Sequence, residues 1–331
     1  MVDPAYAIRS ARDEDLPAEV EVLNRLTPEA PISVEDLRHR RRLNGAPPRF
    51  RVDLVAEERT GGPIVAFGEL EPAGFAAFDP RRGWLQVFVD PPRQGHGIGR
   101  ALADELATRA QAHGMEFLYT AVRADVPRDV AFLHRQGFVE RRRSWLSVLE
   151  VTPTCLEGIP DGTDRLAEAG LRFTTLAEEG GDRPEVRAAV HRAYLAAREG
   201  IPTVVPTRPV SESEFVARNL EAPGVLPDAF FLAEWGREYV GLSFLERLAE
   251  PSSLLQVFTG TRPDWRRRGV ALELKRRGIA YAQSHGIARI RTYNDSLNIA
   301  MWTINQRLGF TRQQEHVQGE RRLAPARPGS A

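Results

Sequence analysis

Apolar and polar positions fall along the chain in two successive runs, each passing from the two-residue period of strands to the helical period and back. The first run opens with a strand, AYAIRSA, and an acidic segment, DEDLPAEVEVLNRL, in which Leu16, Val20, Leu23 and Leu26 recur at helical spacing. RVDLVAEER and PIVAFGELEP follow as strands, and the turn residues Thr60, Gly61 and Gly62 between them predict a hairpin. WLQVFVD leads into a glycine turn and then a helix, RALADELATRAQAHG, with Leu102 and Leu106 four apart and Gly114 as its stop. The run ends with strand EFLYTAV, a helix through VAFLHRQGF and a closing strand, SWLSVLEV.

The second run repeats that order. LRFTTLA predicts a strand, EVRAAVHRAYLAAR a helix and FFLAEWGREYVGLSFLERL a hairpin around Gly236. LLQVFTGT enters a second glycine turn, followed by helix VALELKRRGIAYAQSHG, strand IARIRTYN and a last helix, NIAMWTINQRLGF. TPTCLEGIPDGTDRLAEAG mixes turn residues with few apolar ones and predicts a linker. The expected organisation is therefore a domain at residues 1–151, a linker at 152–170, a domain at 171–323 and a disordered tail at 324–331. Hairpins before each turn and a strand-helix-strand after it predict an α/β fold with a mixed sheet in both tandem domains.

The repeat extends to residue identity. Shifting Val87 onto Thr259 places Gly97 on Gly269, and the same register carries Gln111, His113, Gly114, Thr120, Arg135, Gly137 and Phe138 onto Gln283, His285, Gly286, Thr292, Arg307, Gly309 and Phe310. Composition narrows the picture further. With 45 basic and 45 acidic side chains the formal charge of the 331 residues is zero, so no global field draws nucleic acid or an anionic membrane, and neither is expected as a partner. Lys275 is the only lysine and Cys155 the only cysteine, which excludes an intrachain disulfide and a cysteine-based zinc site. The seven histidines lack any short metal spacing, so no metal is expected. No signal-peptide order opens the chain and no apolar run approaches the ~18 residues of a membrane span, so a cytoplasmic protein is expected.

In both copies a strand runs into a turn that opens a helix, which aims backbone N–H groups and the positive helix end at one spot. Such a spot stabilises an anion, most simply a pyrophosphate. Gly95, Gly97 and Gly99 let backbone approach ligand, whereas the second copy keeps Gly269, ends on Ala271 and adds Arg266, Arg267 and Arg268. A lone GxG is more often only a tight turn, but duplication in matched context favours a site. A dinucleotide fold would need a parallel strand-helix-strand unit with GxGxxG, and a nucleotide P-loop would need GKS or GKT, which the chain lacks.

These residues resemble the GCN5-related N-acetyltransferase (GNAT) family, whose motif A reads (Q/R)xxG-x-(G/A) after the fourth strand. Gln94, Gly97 and Gly99 match it in the first domain, and Arg266, Gly269 and Ala271 in the second. The family's closing signature, a helix ending in LGF or similar, stands as RQGF at Arg135 and RLGF at Arg307. The tandem arrangement is similar to that of mycothiol synthase and other bacterial two-domain acetyltransferases. The resemblance implies acetyl-CoA as cosubstrate, with its pyrophosphate on Gly95, His96, Gly97, Ile98, Gly99 and Arg100, or on Arg267, Arg268, Gly269, Val270 and Ala271. It further implies that the acetyl and pantetheine arms follow Val87, Phe88 and Val89, or Thr259, Gly260 and Thr261, with added contacts from Asn294 and Asn298. The first domain has Val122 and Val126 at the last two positions.

Acetyl transfer to an amine needs a free-base nucleophile, a polarised thioester carbonyl and a proton for the departing thiolate. The family commonly places a tyrosine four residues before the phenylalanine-preceding glycine of its closing signature; here those positions are Leu133 and Asn305. Asn305 retains hydrogen-bonding capacity and Leu133 does not, so the resemblance favours the C-terminal domain as catalytic, the N-terminal one binding cofactor or shaping the acceptor cleft. Glu246 is the candidate base, Glu69 and Glu71 are its first-domain analogues, and Tyr293 is a candidate acid; each has a bland alternative as an ordinary strand side chain. The arginine runs at 38–42 and 141–143 are expected as solvated faces. The reading is an N-acetyltransferase acting on a small-molecule amine, with a non-catalytic acyl-CoA sensor as the alternative.

Overall fold

The computed structural model describes residues 6–28, 31–45, 50–73, 79–201 and 209–324. The tail expected at 324–331 lies, beyond Ala324, outside the described residues. In chain order the elements are β1 (Tyr6–Ser10), α1 (Leu16–Leu26), α2 (Val34–Gly45), β2 (Val52–Glu58), β3 (Ile64–Pro72), β4 (Arg82–Val89), α3 (Ile98–Ala112), β5 (Phe117–Arg123), α4 (Pro127–Arg135) and β6 (Val139–Glu150). There follow α5 (Thr163–Glu168), β7 (Leu171–Thr175), α6 (Pro184–Arg198), α7 (Glu212–Asn219), β8 (Val225–Trp235), β9 (Glu238–Arg247), β10 (Ser253–Thr261), α8 (Val270–Ser284), β11 (Arg289–Asp295), α9 (Ile299–Arg307) and β12 (Thr311–Arg322). Both predicted hairpins form, β2 with β3 and β8 with β9.

The chain folds into two compact units, and neither is contiguous in sequence. Among the described residues the first holds 6–143 and 316–324, the second 144–201 and 209–315. In the first unit β1 to β5 lie in sequence order, antiparallel except for the parallel pair β4 and β5. The place beside β5 is taken by the end of the chain's last strand, His316 to Arg322 of β12 running antiparallel to Arg123 to Phe117. In the second unit the order is β6, β11, β10, β9, β8, β7, with β10 and β11 the parallel pair. Ser144 to Glu150 of β6 run antiparallel to Asp295 to Arg289.

SWLSVLEV thus closes the second unit rather than the first, contrary to the sequence expectation. The physical reason is packing: Leu149 is buried in the core built by Leu274, Ile290, Leu308 and Phe310. The first unit is closed by His316 to Arg322 of β12, whose single apolar residue, Val317, is buried with Leu133 and Phe138 in a core dominated by Leu102, Leu106 and Leu118. Burying a leucine of this kind contributes ~1.5–3 kcal/mol, so the face that α3 turns to its sheet carries much of the first unit's stability.

The arginine-rich stretch also departs from expectation. Ser33 and Asp36 cap α2 reciprocally, Ser33 N–H donating to Asp36 Oδ2 (2.9 Å) and Asp36 N–H to Ser33 Oγ (3.1 Å). Leu37 is fully buried, and Arg40 and Arg41 turn inward instead of forming a solvated face. Arg41 pairs with the buried Glu19 of α1, and Arg40 with Glu69 of β3 (3.2 Å). Arg51 bonds Asp53 (2.7 Å), Glu69 (2.7 Å) and Glu71. Burial pushes the Glu19 carboxyl up to about 7 despite Arg41; burial also opposes the charge on Glu69, but Arg40 and Arg51 hold it below the usual carboxylate range.

No helix among the described residues is long and apolar enough to cross a membrane, and no group of three metal-binding side chains occurs among them.

Lys275 is buried inside α8 without a hydrogen bond or ion pair among the described residues, its ammonium 4.9 Å from the Phe310 ring centroid. Burial lowers its pKa from 10.5 to about 7. The unfolded chain therefore binds this proton up to a higher pH than the folded one, so stability rises with pH between those values and the penalty is fully present below pH 7. Lys275→Met is expected to stabilise the protein by on the order of a few kcal/mol near pH 6, the gain disappearing above about pH 10.5; denaturant melts across that range measure it. Val317→Asp is expected to destabilise the first unit by about 3–5 kcal/mol, because the carboxylate enters its core unpaired. Limited proteolysis should then cut residues 6–143 first, although the substitution lies near the other end of the chain.

Candidate functional site

Two strand-turn-helix corners carry the motif residues. β4 passes through a single 3-10 turn (Pro91–Arg93) into α3, and β10 through Pro263–Trp265 into α8. Gly97 and Gly269 are the residues immediately before the two helices, with φ of 82° and 92°, a left-handed conformation that a Cβ penalises. The next left-handed position holds Gly95 (φ 86°) in the first turn but Arg267 (φ 59°) in the second, a strain of about 1–2 kcal/mol accepted to keep an arginine there. Ile98 and Val270 are buried, so their side chains anchor the helix start and only their backbone faces a ligand.

The glutamine and arginine of the motif are each bonded to the strand before their turn. Gln94 Nε2 donates to Val89 O (2.9 Å), and Arg266 Nε donates to Thr261 O (3.4 Å), the matching carbonyl of the other copy. Both side chains clamp their turn to the end of its strand. His96 approaches Arg93 O (3.3 Å), Arg100 pairs with Asp104 (3.5 Å) and Arg268 lies over the Trp265 ring (4.8 Å). A Cβ on Gly99 would sit 3.3 Å from Val89, and the second copy carries Ala271 at that position. A Cβ on Gly97 would meet nothing within 4 Å, whereas one on Gly269 would lie 2.7 Å from the guanidinium of Arg165.

Behind each turn the sheet opens. β4 and β5 pair only through Arg82 with Phe117, Gly83 with Leu118 and Trp84 with Tyr119, although β4 continues to Val89. β10 and β11 pair only through Ser253 with Arg289, Leu254 with Ile290 and Leu255 with Arg291, although β10 continues to Thr261. The unpaired ends form a wedge leading from the turn into the sheet. In the first unit Val87, Val89 and Val122 pack against the apolar core and Phe88 stacks on Phe67 (4.6 Å). In the second, Thr259 Oγ1 lies 2.8 Å from Ser243 Oγ, Thr261 is buried, and Gly260 leaves room for Phe258 and Ala197. β10 also bulges between Gln256 and Phe258, which β4 does not. Gln256 Nε2 donates to the carbonyls of Phe244 (2.7 Å) and Phe258 (2.9 Å), satisfying groups that the bulge disturbs.

The second wedge has a buried polar wall. Asn294, in the part of β11 that has left β10, accepts from Ser147 Oγ (2.7 Å) and from Asn305 Nδ2 (3.1 Å), and all three side chains are buried. Asn305 Oδ1 is fully buried without a partner among the described residues, an acceptor whose desolvation is uncompensated. The matching first-unit residues are Val122, Leu133 and Gly319, since Gly319 pairs with Thr120 as Ser147 pairs with Thr292. Asn298 caps α9, its Oδ1 accepting from Met301 N–H (3.3 Å). Tyr293 is 56% exposed and, one residue from Asn294 on a strand, points to the opposite face. Glu246 is half-buried in the row Glu246, Leu255, Arg291, the last paired row before the wedge. Glu69 and Glu71 are both bonded to Arg51. Ser147, Gln256 and Arg165 were not anticipated; their roles depend on strand exchange, a bulge and a loop docking, none of which leaves a local sequence signal.

The comparisons with known proteins point the same way. Residues 19–138 match the Acetyltransferase (GNAT) family. The mycothiol acetyltransferase of Thermobifida fusca (strain YX) is 24% identical over 290 residues, covering 81% of this chain and 82% of that protein. Its counterpart from Pseudarthrobacter chlorophenolicus is 25% identical over 248 residues, 72% of this chain and 71% of that protein. Among solved structures, a tandem GNAT protein from the clavulanic acid biosynthesis pathway superposes with a TM-score of 0.74 at 19% identity, over 97% of this chain and all of that one. Residues 19–138 thus match the Acetyltransferase (GNAT) family, and the chain as a whole is similar to mycothiol acetyltransferases and shares the fold of a tandem GNAT protein.

Proposed function

We propose that the second unit transfers the acetyl group of acetyl-CoA to the amine of a small molecule, and that the first unit binds acetyl-CoA or shapes the acceptor cleft without transferring. The observation that carries this assignment is the polar wall of the second wedge, where the buried Asn305 Oδ1 lacks a donor and the first wedge offers only Val122 and Leu133. The family match to residues 19–138 and the open Gly97 turn support cofactor binding in the first unit as well.

Acetyl-CoA supplies a thioester carbonyl open to attack by a free amine. The backbone N–H groups after Gly269 hold the pyrophosphate, and the unpaired edge of β10 guides the arm from the turn toward Leu255. Asn305 Oδ1 accepts a hydrogen bond from an N–H or S–H donor in the wedge, which relieves its own desolvation. Glu246, at the closed end of the wedge, takes the proton of the attacking amine directly or through water. A departing thiolate has an ordinary pKa of about 8.5, so it leaves near neutral pH without a strong acid, and the missing tyrosine in both copies is tolerable.

Gly269→Glu places a carboxylate on the anion seat beside Arg165 and strains the backbone, and is expected to abolish amine-dependent CoA release. Gly97→Glu should keep most of it in a protein of the same helix content. Thiol release by both variants, assayed with a panel of amines, checks this; the reverse pattern reassigns transfer to the first unit.

Asn305→Ala should weaken acetyl-CoA binding or slow transfer by ~1–3 kcal/mol, the range of one buried hydrogen bond. An amide does not titrate near neutrality, so the basic limb of the rate profile should survive the substitution. Rates against pH for both proteins decide the matter, and a lost limb would show that Asn305 orients a titrating group, with Tyr293 the first to test.

A further inference from the structure

Four arginines of the second unit converge on one cavity of about 290 Å³: Arg165 from α5, Arg267 and Arg268 from the turn, and Arg307 from the end of α9. All four are exposed, and among the described residues none is ion-paired; Arg268 acts on Asp264 only at range, that carboxylate being bonded by Arg262 (2.7 Å). Arg165 donates to the backbone oxygen of Arg268 (2.7 Å), which holds its guanidinium against the start of α8. The two carboxylates lining the cavity are already engaged elsewhere, Glu273 by Arg276 (3.0 Å) and Arg277 (3.2 Å), and Asp161 by Arg276 (3.1 Å). Four exposed arginines without an ion pair, beside the positive end of a helix, make a local positive field that attracts an anion.

The charge exceeds what a pyrophosphate diester, carrying about two negative charges, would balance. A phosphate monoester adds about two more at neutral pH, which matches the four arginines. Resting on the reading that this unit binds acetyl-CoA, we propose that the cavity seats the 3′-phosphate at the nucleotide end of CoA and that Arg165 makes the second unit select CoA over its 3′-dephospho form. The first turn has Gly95 and His96 in place of Arg267 and Arg268, and nothing lies within 4 Å of a Cβ on Gly97, so the same selection is not built there.

The test uses the full chain carrying Gly97→Glu, which silences the first turn. Calorimetric titration with CoA, 3′-dephospho-CoA and adenosine 3′,5′-bisphosphate should show CoA binding about 10- to 100-fold more tightly than the dephospho form, and measurable binding of the bisphosphate. Adding Arg165→Ala should reduce that preference to within a few-fold while leaving affinity for dephospho-CoA unchanged, and Arg165→Lys should restore part of it. Equal affinity for the two forms before the Arg165 substitution rejects the phosphate seat alone. Equal weakening of both by Arg165→Ala also rejects it, and assigns Arg165 to the pyrophosphate. Failure of every form of CoA to bind overturns the seat together with the reading on which it rests.

Discussion

Both units depend on a parallel strand pair that zips for three rows and then stops. A strand that leaves its neighbour in the middle of a sheet exposes N–H and C=O groups that cost free energy unless something bonds them. On the proposed function an extended ligand laid between β10 and β11 would do so, and the candidate residues stand around that gap. The glycine turn stands at its open end, Glu246 at its closed end, and Asn294 with Asn305 along one side. The geometry selects a long, narrow molecule with an anionic tail before any side chain contributes specificity.

The same frame has been filled in two ways. In the first unit the wedge positions are valine, leucine and glycine, while charge is concentrated on the other face of the sheet, where Arg40, Arg41 and Arg51 bind Glu19, Asp53, Glu69 and Glu71. Such a network is cohesive only while complete, since removing one partner leaves another buried and unpaired. In the second unit that face is aromatic, Phe230 stacking on Phe244 at 4.4 Å and Tyr194 tilted against Phe258 at 4.9 Å, and the polar groups line the wedge instead.

Much of this was legible in residue order, because periodicity and turn chemistry are local. The hairpins around Gly61 and Gly236, the helices after Gly97 and Gly269 and the doubled motif all follow from residues close in sequence. What stayed hidden depends on distant partners. β12 has one apolar residue in twelve, so no alternation marks it as a strand; its identity comes from β5, which it meets from nearly 200 residues away. The inward turn of Arg40 and Arg41 was equally invisible, since arginine on a helix surface reads as solvated until a buried carboxylate is found opposite. Gln94 and Arg266 match a motif, but their bonds to the carbonyls of Val89 and Thr261 are visible only in the fold.

The exchange of strands has a consequence for how the chain acquires its shape during synthesis. Domains usually fold in the order in which they emerge from the ribosome. Here the sheet of the first unit lacks its sixth strand until residue 322 has been made, so Leu133 and Phe138 wait, incompletely covered, through the translation of the whole second unit. The second unit can close once residue 315 is out, because its strand β6 was made beforehand. The half of the protein synthesised first is therefore the last to be finished.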